Sequence, residues 1–241
     1  MSYTFKVAPL CDRQKRDINE RNILDNGLYR KCNVYKGGGG YDRFPAICKK
    51  RLGYAYQDQF VVQLYGCPLR CPYCYVTPEG VFGNYVEVSD ADLAEAFIES
   101  RQDIFHLMGG APALYIEGWG SVIEGLSPEK IFHSDLLLVE KEYSDDVLRA
   151  IKRENTLYAV SIKGLGDEFK ANTGVPLNAA LFWRNLSRVV ESGINFYLTF
   201  TGLSPRSVQA FRDECERRGY PERIFADSFS IEIVQYKALI S

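Results

Sequence analysis

Gln59-Phe60-Val61-Val62-Gln63-Leu64-Tyr65-Gly66-Cys67-Pro68-Leu69-Arg70-Cys71-Pro72-Tyr73-Cys74-Tyr75 is a short apolar strand that ends in glycine and runs straight into three cysteines. The β-branched and aromatic residues before Gly66, with a turn signal after them, read as a buried strand. The second half sets three thiolates in a Cys-x3-Cys-x2-Cys pattern. Soft sulfur ligands suit iron–sulfur clusters, and thiolates this closely spaced can hold three irons of a 4Fe-4S cube. A cube has four irons, so the last is left open to a small molecule.

Two other readings of the cysteines stay open at this point. They could be three-quarters of a structural zinc site completed by a histidine. Zinc knots favour Cys-x2-Cys pairs separated by a longer loop, however, and no second pair exists; His106 and His133 are both far downstream. A disulfide framework is disfavoured by the odd count of seven cysteines and by an opening Met-Ser-Tyr with no apolar secretory segment. Cys11, Cys32, Cys48 and Cys215 are widely spaced and read as ordinary thiols.

The chain has 241 residues, 46% of them hydrophobic, with a net charge of −2. That suffices to bury the core of one α/β-barrel-sized domain. The near-neutral balance argues against a nucleic-acid or anionic-lipid platform, and Lys49-Lys50-Arg51 reads as solvated surface. No apolar stretch approaches a membrane span. Cysteines without an export signal suit a reducing cytoplasm, the expected location.

Outward from the cysteine loop, strands and helices alternate. Strands are expected at 59–65, 104–108, 134–140, 157–162, 194–200 and 229–236. Helices are expected at 89–101, 112–126, 144–154, 178–192 and 204–218, with Ser89 and Ser204 as caps and Pro205 in a first turn. Such alternation implies parallel pairing through right-handed crossovers. Eight units would close a TIM barrel; six leave it open. The expected fold is therefore α/β, a partial (β/α)6 barrel over residues 58–241. Residues 1–57 are polar and carry the run Gly37 to Gly40, and read as an N-terminal extension, a candidate lid. In parallel barrels the site gathers at the carboxyl ends of the strands, where the cysteine loop falls.

Cys67, Cys71 and Cys74, with an aromatic before the last, closely resemble the signature of the radical S-adenosylmethionine (SAM) superfamily. Its activating-enzyme-like branch includes small single-domain members. The resemblance implies the same partial barrel, a 4Fe-4S cluster on these cysteines, and SAM chelating the open iron through its amino and carboxylate groups. It also implies reductive cleavage of SAM to a 5′-deoxyadenosyl radical, with electrons from a flavodoxin- or ferredoxin-type donor. The hydrogen would come from a small-molecule or peptide substrate, or from a protein partner if the chain activates a glycyl-radical enzyme. A non-catalytic iron–sulfur carrier is the reading from another class, although a carrier needs no SAM pocket.

Met108-Gly109-Gly110-Ala111-Pro112 is similar to the family's Gly-Gly-Glu-Pro segment, whose backbone receives the SAM amino group; Ala111 stands where glutamate is usual. Glycines there admit close ligand approach because no Cβ intrudes. Glu140, at the expected end of the third strand, is expected either to point a carboxylate toward the mouth, where it would accept from ribose hydroxyls, or to be an exposed junction residue paired with Lys141. Ser161 and Lys163 share one face by alternation and resemble the Asp-x-Lys of glycyl-radical activating enzymes, with Ser161 replacing the acid. The likeness continues through 168–175. Tyr73 is expected to pack near the adenine through its backbone.

Overall fold

The computed structural model describes residues 2–12, 15, 20–32, 43–53, 59–74, 76 and 81–231. In chain order, β1 (Thr4–Val7), β2 (Ile23–Leu24), β3 (Tyr29–Cys32) and α1 (Arg43–Leu52) precede β4 (Gln59–Leu64). Then come β5 (Val86–Ser89), α2 (Asp90–Ser100), β6 (Ile104–Gly109), a 3-10 turn (Pro112–Gly118) with α3 (Trp119–Gly125), and β7 (Ile131–Leu136). After these follow α4 (Asp145–Ala150), β8 (Thr156–Ile162), α5 (Gly166–Thr173), α6 (Ala179–Ser192), β9 (Phe196–Thr201), α7 (Pro205–Arg217) and β10 (Phe229–Ile231).

Strands β4, β6, β7, β8, β9 and β10 pair in that order, every pair parallel. This is the open parallel sheet of a partial TIM-like barrel, as the alternation of elements implied. Ser89, Ser144, Asn178 and Ser204 cap α2, α4, α6 and α7, each side-chain oxygen accepting a first-turn amide. Such caps satisfy amides that have no partner within the helix.

Alternation along the strands sorts their side chains. Phe60, Val62, Leu64, Phe105, Leu107, Phe132, Leu136, Tyr158, Val160, Leu198 and Phe200 face the helices and join one core with Leu93, Phe97, Trp119, Leu148, Phe182, Leu186 and Phe211. Burying each such side chain contributes roughly 1.5–3 kcal/mol. Trp119 stacks on Tyr158 at 5.8 Å, and the Tyr158 hydroxyl donates to the Ile151 carbonyl. The opposite faces turn into the barrel. Their amino-terminal ends bring Ile104, Ile131, Leu157, Tyr197 and Phe229 together with Ile47 and Cys48 of α1.

The N-terminal segment, expected as an extension, contributes strands of its own. β1 pairs antiparallel with β4 and β5, and β3 pairs antiparallel with β4, so the segment lengthens the same sheet. α1 closes the barrel at the end opposite the cysteine loop. Lys50 and Arg51, expected as solvated surface, bind Asp227 at 2.5 and 2.7 Å and tie α1 to the turn before β10. Gly37 to Gly40, the candidate lid, lie outside the described residues.

Other boundaries shift. The second expected helix is a 3-10 turn followed by a short α-helix, with Tyr115 at a non-helical kink. The third strand ends at Leu136, not Glu140. The stretch 168–175 lies largely within a helix of its own, α5. Of the sixth strand only Phe229–Ile231 is described, so Glu232, Gln235 and Tyr236, expected there as further candidates for the adenosine moiety or the substrate, fall outside.

Candidate active site

The carboxyl ends of the parallel strands surround a cavity of about 240 Å³. Cys67, Cys71, Tyr73, Cys74, Gly109, Gly110, Ala111, Pro112, Ser161 and Lys163 all line it. Chain topology thus brings three loops, far apart in sequence, to one mouth.

The cysteine loop is held from both sides. Below it, Leu69 packs with Ala111, Leu137 and Phe169, with Cys67 and Cys71 against this cluster. The Arg70 amide donates to the Thr173 carbonyl at 2.7 Å, fastening the loop to the end of α5. Gly174 follows in the left-handed region at φ +72°, and a Cβ there would come within 3.2 Å of Arg70. The Leu69 amide points at the Cys67 sulfur, 3.4 Å away. Burial pushes the Cys67 thiol up to about 11, with the Leu69 amide and Lys163 pulling it down; burial raises Cys74 as well. Thiolates here therefore need a strong positive partner, which cluster irons supply. Among the described residues no three His, Cys, Asp or Glu side chains converge on a single ion.

The glycine turn crosses this loop closely. A Cβ on Gly110 would lie 2.0 Å from the Gly66 carbonyl oxygen, and Gly109 sits at φ +94°. The Gly110 amide donates to Leu64 and the Ala111 amide to Gly66, at 3.1 and 2.7 Å. Those two amides are thus already committed within the fold. The Ala111 side chain is buried in the apolar cluster with Leu69 and Phe169, a place that would penalise a carboxylate.

Lys163 lies 5.4 Å over the Tyr73 ring, close enough to Cys67 and Cys74 to lower both thiols. Tyr73 is buried beside Cys71, and burial raises its hydroxyl. Glu140 is the exception among the expected site residues. The chain turns after Leu136, with the Val139 amide on the Leu137 carbonyl and Asn185 holding Leu138 and Lys141. Glu140 therefore accepts from Tyr143 at 3.1 Å, does not line the cavity, and is pushed by burial to about 8.

Of the groups that line the same cavity, sequence reading passed over Gln59, Asp135 and Tyr197; His106 and His133 were weighed only as distant zinc ligands, and Thr199 and Thr201, at the end of the fifth strand, stood as candidates for the adenosine moiety or the substrate. They occupy alternate positions in apolar strands, a pattern that marks an inward face once the sheet is known. Burial raises Asp135 to about 6 against the pull of Lys163, and lowers His106 to about 3 with Arg30 adding to it.

The Radical SAM superfamily profile matches residues 61–217, about two thirds of the chain. The solved structure of native anSMEcpe with bound AdoMet is 16% identical, with a TM-score of 0.52 over 70% of this chain and 49% of that one. The complex of native anSMEcpe with AdoMet and the Kp18Cys peptide is 14% identical, with a TM-score of 0.50 over the same shares. At these identities the likeness shows the fold, and this chain spans about half the length of those proteins. No curated protein matches.

Proposed function

The chain belongs to the Radical SAM superfamily, and from that premise we propose that it cleaves S-adenosylmethionine reductively to abstract hydrogen from a small-molecule or peptide substrate. The observation that carries the reading is the shared cavity: Cys67, Cys71 and Cys74 open onto the same space as the Gly109–Pro112 turn, Ser161 and Lys163. A carrier of electrons alone needs no such chamber beside its cysteines.

The three cysteines would hold a 4Fe-4S cluster, which supplies the electron that breaks the sulfonium bond and gives a 5′-deoxyadenosyl radical. The chain's own residues bind and orient. Carbonyls of Gly109 and Gly110 suit the SAM ammonium, because the neighbouring amides are already committed to Leu64 and Gly66. Lys163 faces the cavity with a positive charge for the methionine carboxylate. Ser161, two residues earlier on the same face, offers a hydroxyl to the ribose. Tyr73 walls the adenine side and keeps water from the reacting carbon. Arg70 and Pro72 are exposed on the outer side of the loop, giving a flavodoxin- or ferredoxin-type donor a short approach.

Anaerobic reconstitution tests this reading. The account expects about four irons per chain and an electron paramagnetic resonance spectrum of the reduced cluster that SAM changes. Zinc in place of iron, or a spectrum indifferent to SAM, contradicts it.

A further inference from the structure

Below the mouth the cavity continues to a polar layer halfway down the barrel. Gln59, His106, His133 and Thr199 are each at most 8% exposed, yet all line it. His106 Nδ1 meets Gln59 Oε1 at 2.7 Å, His133 Nε2 meets the Tyr197 hydroxyl at 3.0 Å, and the imidazole centroids are 4.3 Å apart. The layer is bounded from beneath by the apolar floor that Ile47 and Cys48 of α1 complete. Asp135 opens onto the same chamber, and no hydrogen bond from a described residue satisfies its carboxylate.

Barrel interiors are ordinarily filled by branched apolar side chains. The amide and imidazoles here pair with one another and with Tyr197, but a carboxylate withdrawn from water costs free energy unless something pairs with it. The chamber is also deep. Tyr197 lies four residues before Thr201 along β9, about 13 Å at the usual rise of a strand. A side chain presented by a polypeptide held outside the mouth does not span that depth, least of all past a nucleoside bound there.

We propose that this lower chamber is the substrate site, and that the substrate is a whole small molecule bearing O–H or N–H donors, enclosed within the barrel rather than presented on a polypeptide. Asp135 takes a donor from it, and the Gln59 amide and Tyr197 hydroxyl contribute further hydrogen bonds. The inference rests on the SAM-cleaving reading of the mouth and adds the substrate class.

The test uses the reconstituted full chain, SAM and dithionite, with an extract of cells grown in deuterated water split by ultrafiltration into low-mass and macromolecular fractions. Each turnover spends one electron from dithionite, breaks the sulfur–C5′ bond to release methionine, and moves one deuterium atom from a substrate carbon to C5′, leaving the substrate as a carbon-centred radical. Deuterated 5′-deoxyadenosine is expected with the low-mass fraction. In Tyr197→Phe and Asp135→Asn the deuterated share of that product should fall about tenfold, the scale of one lost hydrogen bond. Deuterium arriving from the macromolecular fraction alone, from neither fraction, or undiminished in both variants overturns the proposal. Absence of any deoxyadenosine would instead strike at the reading of the mouth.

Discussion

Gly110 is the most constrained single residue of the site. An alanine there would press its Cβ to 2.0 Å from the Gly66 carbonyl, backbone that cannot swing aside as a side chain can. Gly110→Ala should cost about 3 kcal/mol in urea unfolding, and should weaken SAM binding in equilibrium dialysis; unchanged values for both would contradict the packing. Glu140 makes a prediction about pH. Its carboxyl is raised by burial to about 8, above its unfolded value, so its stabilising share is full at acid pH and is lost as pH rises through 8. Glu140→Gln should therefore flatten the decline in stability between pH 5 and 8 and gain on the order of 1–2 kcal/mol at pH 8, read as a rise in Tm. The cysteines and glycines were legible because their spacing and missing Cβ atoms are properties of the chain itself. Glu140 was misplaced because Leu136 to Val139 extend the apolar run of a strand although the backbone has already turned. Asp135 and Tyr197 escaped notice because a polar residue inside a strand gains meaning only when its face is known.

Among elements, α5 does work that the sequence left obscure. Residues 168–175 stood out only as a continuation of the family likeness, yet the last residues of α5 receive the cysteine loop, with the Arg70 amide on the Thr173 carbonyl and Gly174 leaving room for Arg70. Gly174→Ala should lower stability by only about 1 kcal/mol, the usual penalty of a side chain in the left-handed region. It should nevertheless reduce the iron and sulfide retained after reconstitution by several-fold. A fully loaded cluster in that variant would show that α5 does not position the loop. The parallel strands and their caps were readable from apolar runs bounded by Ser, Asn, Gly and Pro. β1, β2 and β3 were not, being only two to four residues long, too short for an apolar run or an alternation to stand out.

Across the whole molecule, a sheet left open by its six parallel strands is extended by N-terminal strands and floored by α1, which Lys50 and Arg51 tie to Asp227. One chamber results, with cysteines, a glycine turn and a lysine at the mouth and a polar layer below. The general barrel was foreseeable from the alternation of elements; the sealed floor was not, because it joins residues about 180 positions apart. The most direct measurement is 5′-deoxyadenosine formed when the reconstituted protein meets SAM and dithionite without oxygen, beside a Cys71→Ala control. The account predicts nucleoside and methionine in equal amounts from the wild-type chain and background alone from the control. Equal yields from both proteins, or none from a wild-type chain carrying its full complement of iron, would contradict it.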